Sequence, residues 1–312
     1  MKQLELEALV ADRDSVRVML ASFGKDDPIG NISFNARLAA IDEKINRLMA
    51  THETTGSVAL MFAGGPVIGS RSIEAGFATT ILKSFQDLVT KRIAGDEFGR
   101  LGTRGRLPER IHSTLSIREL VRGSVGFVLE ENSANGELSD TSVKKAIQDV
   151  ATIISRTANE SQRAFEESVE TLDPRMLVSL GEFFRTLDDG EASVRIVEGE
   201  RDDLLNKQAV HRARIRIDET EVIDTESNEV IGELLGVLPE GRRFEMKLRD
   251  NGQVIKGTVS ASLAIGWPEL MEQQDKKLVG QVWRTKMRIR EIKDRKGPPR
   301  NLYSLLGLIE RL

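Results

Sequence analysis

Apolar residues recur along this chain with two periods, helical at first and alternating later, and the change between them divides it. Leu6, Leu9, Val16 and Leu20 fall at helical spacings, interrupted where Arg13 occupies an apolar slot. Phe34, Leu38, Ile41, Ile45 and Leu48 repeat the pattern after Ser33, a residue suited to cap a helix. GKDDPIGN, between the two runs, concentrates Gly, Pro and Asp as a turn requires. Residues 1–52 therefore predict an antiparallel helical hairpin. Its seam spans few heptads, which favours packing on its own domain over a dimerising coiled coil.

Residues 53–198 read as an α+β domain. Ser57–Phe62 is an apolar strand, AGGPVIGSRS a loop, and Ile73–Ile93 a helix with Ile73, Phe77, Ile81, Phe85 and Leu88 on its buried stripe. Gly95–Pro108, with Arg100, Arg104 and Arg106, reads as a surface loop. STLSIRELVRGSVGFVLEE gives two strands meeting near Gly123, or one bent strand with a bulge there. Helices follow over Thr141–Thr157, Glu160–Thr171 and Pro174–Leu187. The last has Asp173 as cap, Pro174 in its first turn and a stop at Asp189-Gly190. The charged stretch Gly199–Gln208 is the expected boundary.

From Arg212 the spacing becomes two, with Ala213, Ile215 and Ile217 against Arg212, Arg214 and Arg216, which predicts a strand. Asp250-Asn251-Gly252 marks a hairpin turn, ELMEQQDKKL a short helix, QVWRTKMRIREI a strand and NLYSLLGLIERL the final segment after the turn KGPPRN. About five strands and one short helix over residues 205–312 predict a small β-barrel, SH3-like or OB-like. The fold class is α+β throughout.

Composition narrows the function classes. The 312 residues suit two or three domains, and 39% hydrophobic with 30% charged residues is an ordinary globular balance. Apolar runs stay short of the roughly 20 residues a membrane helix needs. The acidic, amphipathic start MKQLELEALVADRD is unlike a secretory signal, so a cytoplasmic location is expected. Without cysteine there is no disulfide, thiolate metal site or cysteine nucleophile. The net charge is −4, yet Leu205–Leu312 carries 20 Lys and Arg against 16 Asp and Glu. A nucleic-acid footprint would therefore lie in the C-terminal part.

Two groups of residues are candidates for chemistry. Gly64, Gly65, Gly69, Ser70, Arg71 and Ser72 lie after a strand and before a helix, where backbone N–H groups can approach a phosphate. The segment lacks a P-loop lysine and dinucleotide spacing, so a tight connection capped by Ser70 or Ser72 is the stronger reading. Arg284, Lys286, Arg288 and Arg290 alternate opposite Trp283, Met287 and Ile289, and Lys293, Arg295, Lys296 and Arg300 extend the charge. Such a face can track a phosphate backbone, although a solvated outer face has the same pattern. Trp283 and Tyr303 are the aromatic groups available for stacking, and Trp283 is expected in the core.

The remaining signals are weaker. Glu130 and Glu131 are adjacent on a strand, so they point to opposite faces and read as solvated charges. His52, His112 and His211 have no metal-ligand spacing and read as surface residues. Glu245 and Lys247 in FEMK have the acidic-x-Lys form of some nucleases, which any alternating strand also produces.

LEALVADRDSVRVMLASFGKDDPIGNISFNARLAAIDEKI, VALMFAGGPVIGSRSIEAGFATTILKSFQDLV and RGSVGFVLEE resemble, in that order, a widespread bacterial family of hypothetical proteins. The resemblance covers about the first 190 residues. It implies a bacterial cytosolic origin and a shared α+β fold, and lends no activity, cofactor or site residue.

The expected function is a non-enzymatic cytoplasmic binding or scaffolding protein acting through protein–protein contacts, in a bacterial accessory or phage-defence system. One alternative is a nucleic-acid binder using the basic face of the C-terminal barrel. Another is a nucleotide- or phosphate-processing enzyme. No cofactor, metal or membrane is expected; the partner is a protein, and a homo-oligomer is compatible with the pattern.

Overall fold

The computed structural model of the chain describes residues 2–22, 28–51, 53–69, 71–98, 113–120, 125–132, 139–161, 164–165, 168–169, 172–273, 278–294 and 299–312. It is a mixed α+β protein whose two compact units are Met1–Ile217 and Asp218–Leu312.

The first unit opens with the expected hairpin of α1 (Lys2–Ser22) and α2 (Pro28–Ala50). Its seam joins Val16, Ile41 and Ile45 to Leu6, Leu9, Leu20, Phe34 and Leu38. Arg13 is tolerated in the seam because its guanidinium turns to Asp42, 3.6 Å away. Arg37 closes the other flank on Asp12 at 2.7 Å.

Behind the hairpin stands an antiparallel sheet in the order β4-β5-β1-β6-β7. The strands are β1 (Ser57–Gly64), β4 (Leu115–Leu120), β5 (Val125–Glu131), β6 (Ala192–Glu198) and β7 (Arg201–Leu205). A minor pair, β2 (Val67–Ile68) and β3 (Ser72–Ile73), follows β1. The segment around Gly123 therefore joins two paired strands, and residues 121–124 lie outside the described residues. Val58 through Phe62 are buried without a break, so β1 is covered on both faces. This apolar strand lacks the alternation of a one-sided sheet because α1 places Leu4 against Ala59, Met61, Val128 and Val197.

On the other face lie α3 (Ala75–Phe98), α4 (Ser142–Ala158) and α5 (Pro174–Asp189). Thr141 caps α4 by accepting from the Lys144 N–H, and Asp173 caps α5 by accepting from Arg175. Ile81, Phe85, Leu88, Ile147, Ile154, Leu180 and Phe183 are fully buried, each adding about 1.5–3 kcal/mol of apolar transfer. Of the expected helix over 160–171, residues 164–165 and 168–169 are helical and the others from 162 to 171 lie outside the described residues.

The expected strand from Arg212 is instead a helix, α6 (Lys207–Asp218), and it belongs to the first unit up to Ile217. The boundary expected at Gly199–Gln208 is occupied by the β6–β7 turn, by β7 and by the start of this helix. Asn206 starts α6 by accepting from the Ala209 N–H at 2.9 Å. Val210, Ala213 and Ile217 are buried at helical spacing, whereas Ile215, the residue that completed the alternating pattern, is 37% exposed.

Its arginines are distributed accordingly. Arg212 donates to Ala158 O at 2.9 Å, and Arg216 to Asn159 O and Glu160 O, at the end of α4. Arg214 bridges Asp188 and Asp189 at the end of α5. Cations at helix C-termini satisfy terminal carbonyls and oppose the dipole. Arg216 also lies 5.7 Å over the Phe165 ring. Arg216→Ala is therefore expected to cost about 1–2 kcal/mol, read as a lower melting transition of the first unit by calorimetry.

The second unit contains β8 (Thr220–Leu238), β9 (Arg243–Leu248), β10 (Val254–Val259), α7 (Ala261–Ile265), α8 (Trp267–Gln273), β11 (Val282–Asp294) and β12 (Arg300–Arg311). Five strands close into a ring in the order β10-β12-β11-β8-β9. β10 and β12 pair in parallel and the other neighbours antiparallel. Phe244, Met246, Ile255, Trp267, Trp283, Met287 and Leu305 fill the ring, with the Trp283 indole donating to Leu278 O at 2.9 Å. The Asp250-Asn251-Gly252 turn forms as expected: Gly252 has φ +66° and Asn251 accepts from the Gln253 N–H. β8, β11 and β12 continue past the ring as a three-stranded extension, where Ile292 pairs with Val222 and Arg300. Among the described residues, no helix is long and apolar enough to cross a membrane.

Candidate functional site

The glycine-rich segment forms a small hairpin before α3, with Val67 opposite Ile73 and Ile68 opposite Ser72. Gly64 has φ +114°, and a Cβ there would lie 2.3 Å from Glu191 O; at Gly65 it would lie 2.5 Å from Gly190 O. Both glycines are accounted for by close packing on the turn between α5 and β6. Gly69, at φ +63°, sits in the turn of the hairpin, and Arg71 is exposed. The Ser72 hydroxyl donates back to Ile68 O at 3.1 Å rather than capping α3. Ser70 lies outside the described residues.

The basic strand β11 has acidic company on both sides. Arg284 pairs with Glu310 of β12, and Lys286 and Arg288 converge on Glu226 of β8 at 3.7 and 2.5 Å. Hydrogen bonding from Arg288 holds the Glu226 carboxyl below its ordinary range. Arg290 is not on the open face: it is 2% exposed and grips both oxygens of Asp224 at 2.7 and 2.9 Å. Lys293 meets Glu291 at 3.4 Å, Arg300 opens β12, and Arg295 and Lys296 lie outside the described residues. The expected row of cations is thus a ladder of ion pairs. Except for Glu291 on β11 itself, its acidic rungs come from the neighbouring strands β8 and β12.

Glu130 and Glu131 do point to opposite sides. Glu130 meets Arg118 at 2.5 Å, but Glu131 is buried rather than solvated, accepting from the Thr141 hydroxyl at 2.8 and 3.0 Å. That contact ties β5 to the capping residue of α4. Glu245 pairs with Lys256 across β9 and β10 at 2.7 Å. His211 is exposed beside Asp188 at 3.1 Å, while His52 and His112 lie outside the described residues. Among the described residues no three His, Asp or Glu side chains form a metal-holding group.

Sequence reasoning missed the cleft of about 610 Å³ at one end of the ring. The parallel pairing of β10 and β12 covers Gly257–Val259 against Tyr303–Leu305. Beyond it, among the described residues, Val254–Lys256 pairs with β9 and Asn301–Leu302 with β11. Val230, Ile231, Leu248 and Ile289 give the cleft apolar walls, the Arg249–Gln253 turn with Ser227, Glu229 and Asn301 gives it a polar rim, and Tyr303 stands opposite Ile289 in the register. Apolar walls beside open strand edges suit an extended polypeptide, whose main chain bonds to an edge while a side chain enters the cleft. Tyr303 was the one signal in the sequence, and it pointed to stacking rather than to a cleft.

No protein-family model matches this chain, and a search of curated proteins finds no match to it.

Proposed function

We propose that this chain is a non-enzymatic binding and scaffolding protein whose C-terminal ring is a small OB-like barrel that holds a partner polypeptide. Strand order favours the OB-like over the SH3-like reading. Counted from β8, the ring runs first, second, third, fifth, fourth and back to first, with third and fifth parallel and helices between third and fourth. The observation that carries the function is the Tyr303 cleft, where apolar walls adjoin strand segments paired on one side. The mixed-charge surface fits the same reading. A nucleic acid would have to displace Glu226, Asp224 or Glu310 to reach the cations of β11. A cytoplasmic accessory or phage-defence setting is part of this proposal.

The test is affinity capture from the native host with the full-length chain and with Tyr303→Ala. Trp267 and Trp283, both in the ring core, report by fluorescence that the variant keeps its fold. Wild type is expected to retain a partner that Tyr303→Ala loses, and to leave the anisotropy of a labelled single-stranded oligonucleotide unchanged. Equal retention by both proteins would overturn the peptide-cleft reading. Oligonucleotide binding with a log–log salt slope of about −3 or steeper would replace it with the nucleic-acid reading.

A further inference from the structure

A second cleft, of about 630 Å³, lies within the first unit between the start of α1, the segment leading into β1, α4 and the β6–β7 turn. Its cations are already engaged. Lys2 Nζ donates to Met49 O and Thr51 O at 3.0 Å, Lys144 Nζ to Glu53 O at 2.6 Å and Asp140 at 2.8 Å, and Arg201 to Thr152 Oγ1 at 2.9 Å and Asp203 at 3.0 Å. Two carboxyls are placed differently. Glu198 is 7% exposed, with Gln148 of α4 lining the same cleft, and Glu200 is exposed in the adjoining turn. Neither has an ion-pair partner within 4.0 Å among the described residues. Three acidic groups, Glu53, Glu198 and Glu200, and three basic ones, Lys2, Lys144 and Arg201, line the cleft, and the basic ones are those already held by other acceptors. Leu6 and Met49 add an apolar wall.

We infer that this cleft binds a primary ammonium group on a short aliphatic stem, with Glu198 as counter-ion, Glu200 at the mouth and Leu6 and Met49 along the stem. A guest cation completes what the fold leaves incomplete: a nearly buried carboxyl whose neighbouring cations are held by other acceptors. The same chemistry is offered by a free amine or by a lysine side chain of another protein. Burial pushes the Glu198 carboxyl above its ordinary value, against the pull of Gln148, Arg201 and Lys144. The groups facing it are Lys144 and Gln148 from α4, Arg201 and Glu200 from the hairpin, Glu53 before β1 and Lys2 from α1. A bound ammonium favours ionised Glu198 and so releases its proton. Binding tightens as pH rises through the titration of that group.

Calorimetric titration of the full chain with 1,4-diaminobutane and, separately, with Nα-acetyl-lysine amide tests the inference, with butanol and butyrate as neutral and anionic controls. One saturable site is expected for at least one amine and none for the controls, with affinity rising as the pH is raised through and above the ordinary carboxylate range. The tighter amine identifies the source. Glu198→Gln should weaken binding at least about tenfold, and the surface change Glu200→Gln, which leaves the core untouched, should weaken it less. Absence of saturable binding by both amines would overturn the inference. So would unchanged affinity in both variants, or equal binding of butanol.

Discussion

Gly257→Ala is expected to open the C-terminal ring. Gly257 sits in the parallel seam of β10 and β12, and a Cβ there would lie 2.0 Å from Tyr303 O and 2.8 Å from a ring carbon of Phe244. Neither neighbour can yield cheaply. The carbonyl belongs to the paired backbone of β12, and the Phe244 ring is buried in the core. Relief requires the two strands to part along a seam only three residue pairs long. Overpacking ordinarily costs about 1–3 kcal/mol, and a backbone clash at a ring closure belongs at or above the top of that range. Against a typical domain stability of about 5–15 kcal/mol, that loss is read directly in a chemical denaturation followed by Trp267 and Trp283 fluorescence. Gly236→Ala is the control, because nothing lies within 4 Å of a Cβ added there. It should change stability by no more than about 1 kcal/mol. Comparable losses in the two variants would show that close approach is not the cause.

Asp224→Ala should be nearly as damaging, for an electrostatic reason. It removes the carboxylate that Arg290 holds through two hydrogen bonds, while the guanidinium stays 2% exposed. Breaking one side of a buried pair costs about 3–5 kcal/mol, whereas replacing both sides by apolar groups is often close to neutral. The double variant Asp224→Ala, Arg290→Met is therefore expected to recover much of the loss, and a double-mutant cycle measures the coupling. Arg284→Met, at the exposed pair with Glu310, should cost less than about 1 kcal/mol. If Asp224→Ala proved as mild as Arg284→Met, the Asp224–Arg290 pair would not be a support of the ring extension.

The elements that sequence reading located well announce themselves locally. Asp173-Pro174 opens α5, the seam of α1 and α2 keeps helical spacing despite Arg13, and Asp250-Asn251-Gly252 forms its hairpin. Residues 207–218 did not, because two periods fit one sequence. Ala213, Ile215 and Ile217 alternate, while Val210, Ala213 and Ile217 follow a helix, and Asn206 as a cap was the available signal for the second. The basic face of β11 was legible as a pattern but not in its environment. Glu226, Asp224 and Glu310 reach it only through strand register, which β-bulges beside Thr285 and Met287 further shift. Neither cleft has a linear signature. Glu198 directly precedes the charged stretch Gly199–Gln208, and its burial depends on α1, α4 and the segment before β1 meeting around it.

The position of α6 also orders events during synthesis. The carbonyls closing α4 and the aspartates closing α5 emerge from the ribosome before Arg212, Arg214 and Arg216, which later bind them. Until residue 217 is made, Val210, Ala213 and Ile217 have not yet supplied their buried face, so the nascent first unit keeps apolar surface uncovered. Chaperone dependence should therefore be greatest while this last helix is being translated, just ahead of the strands that follow it.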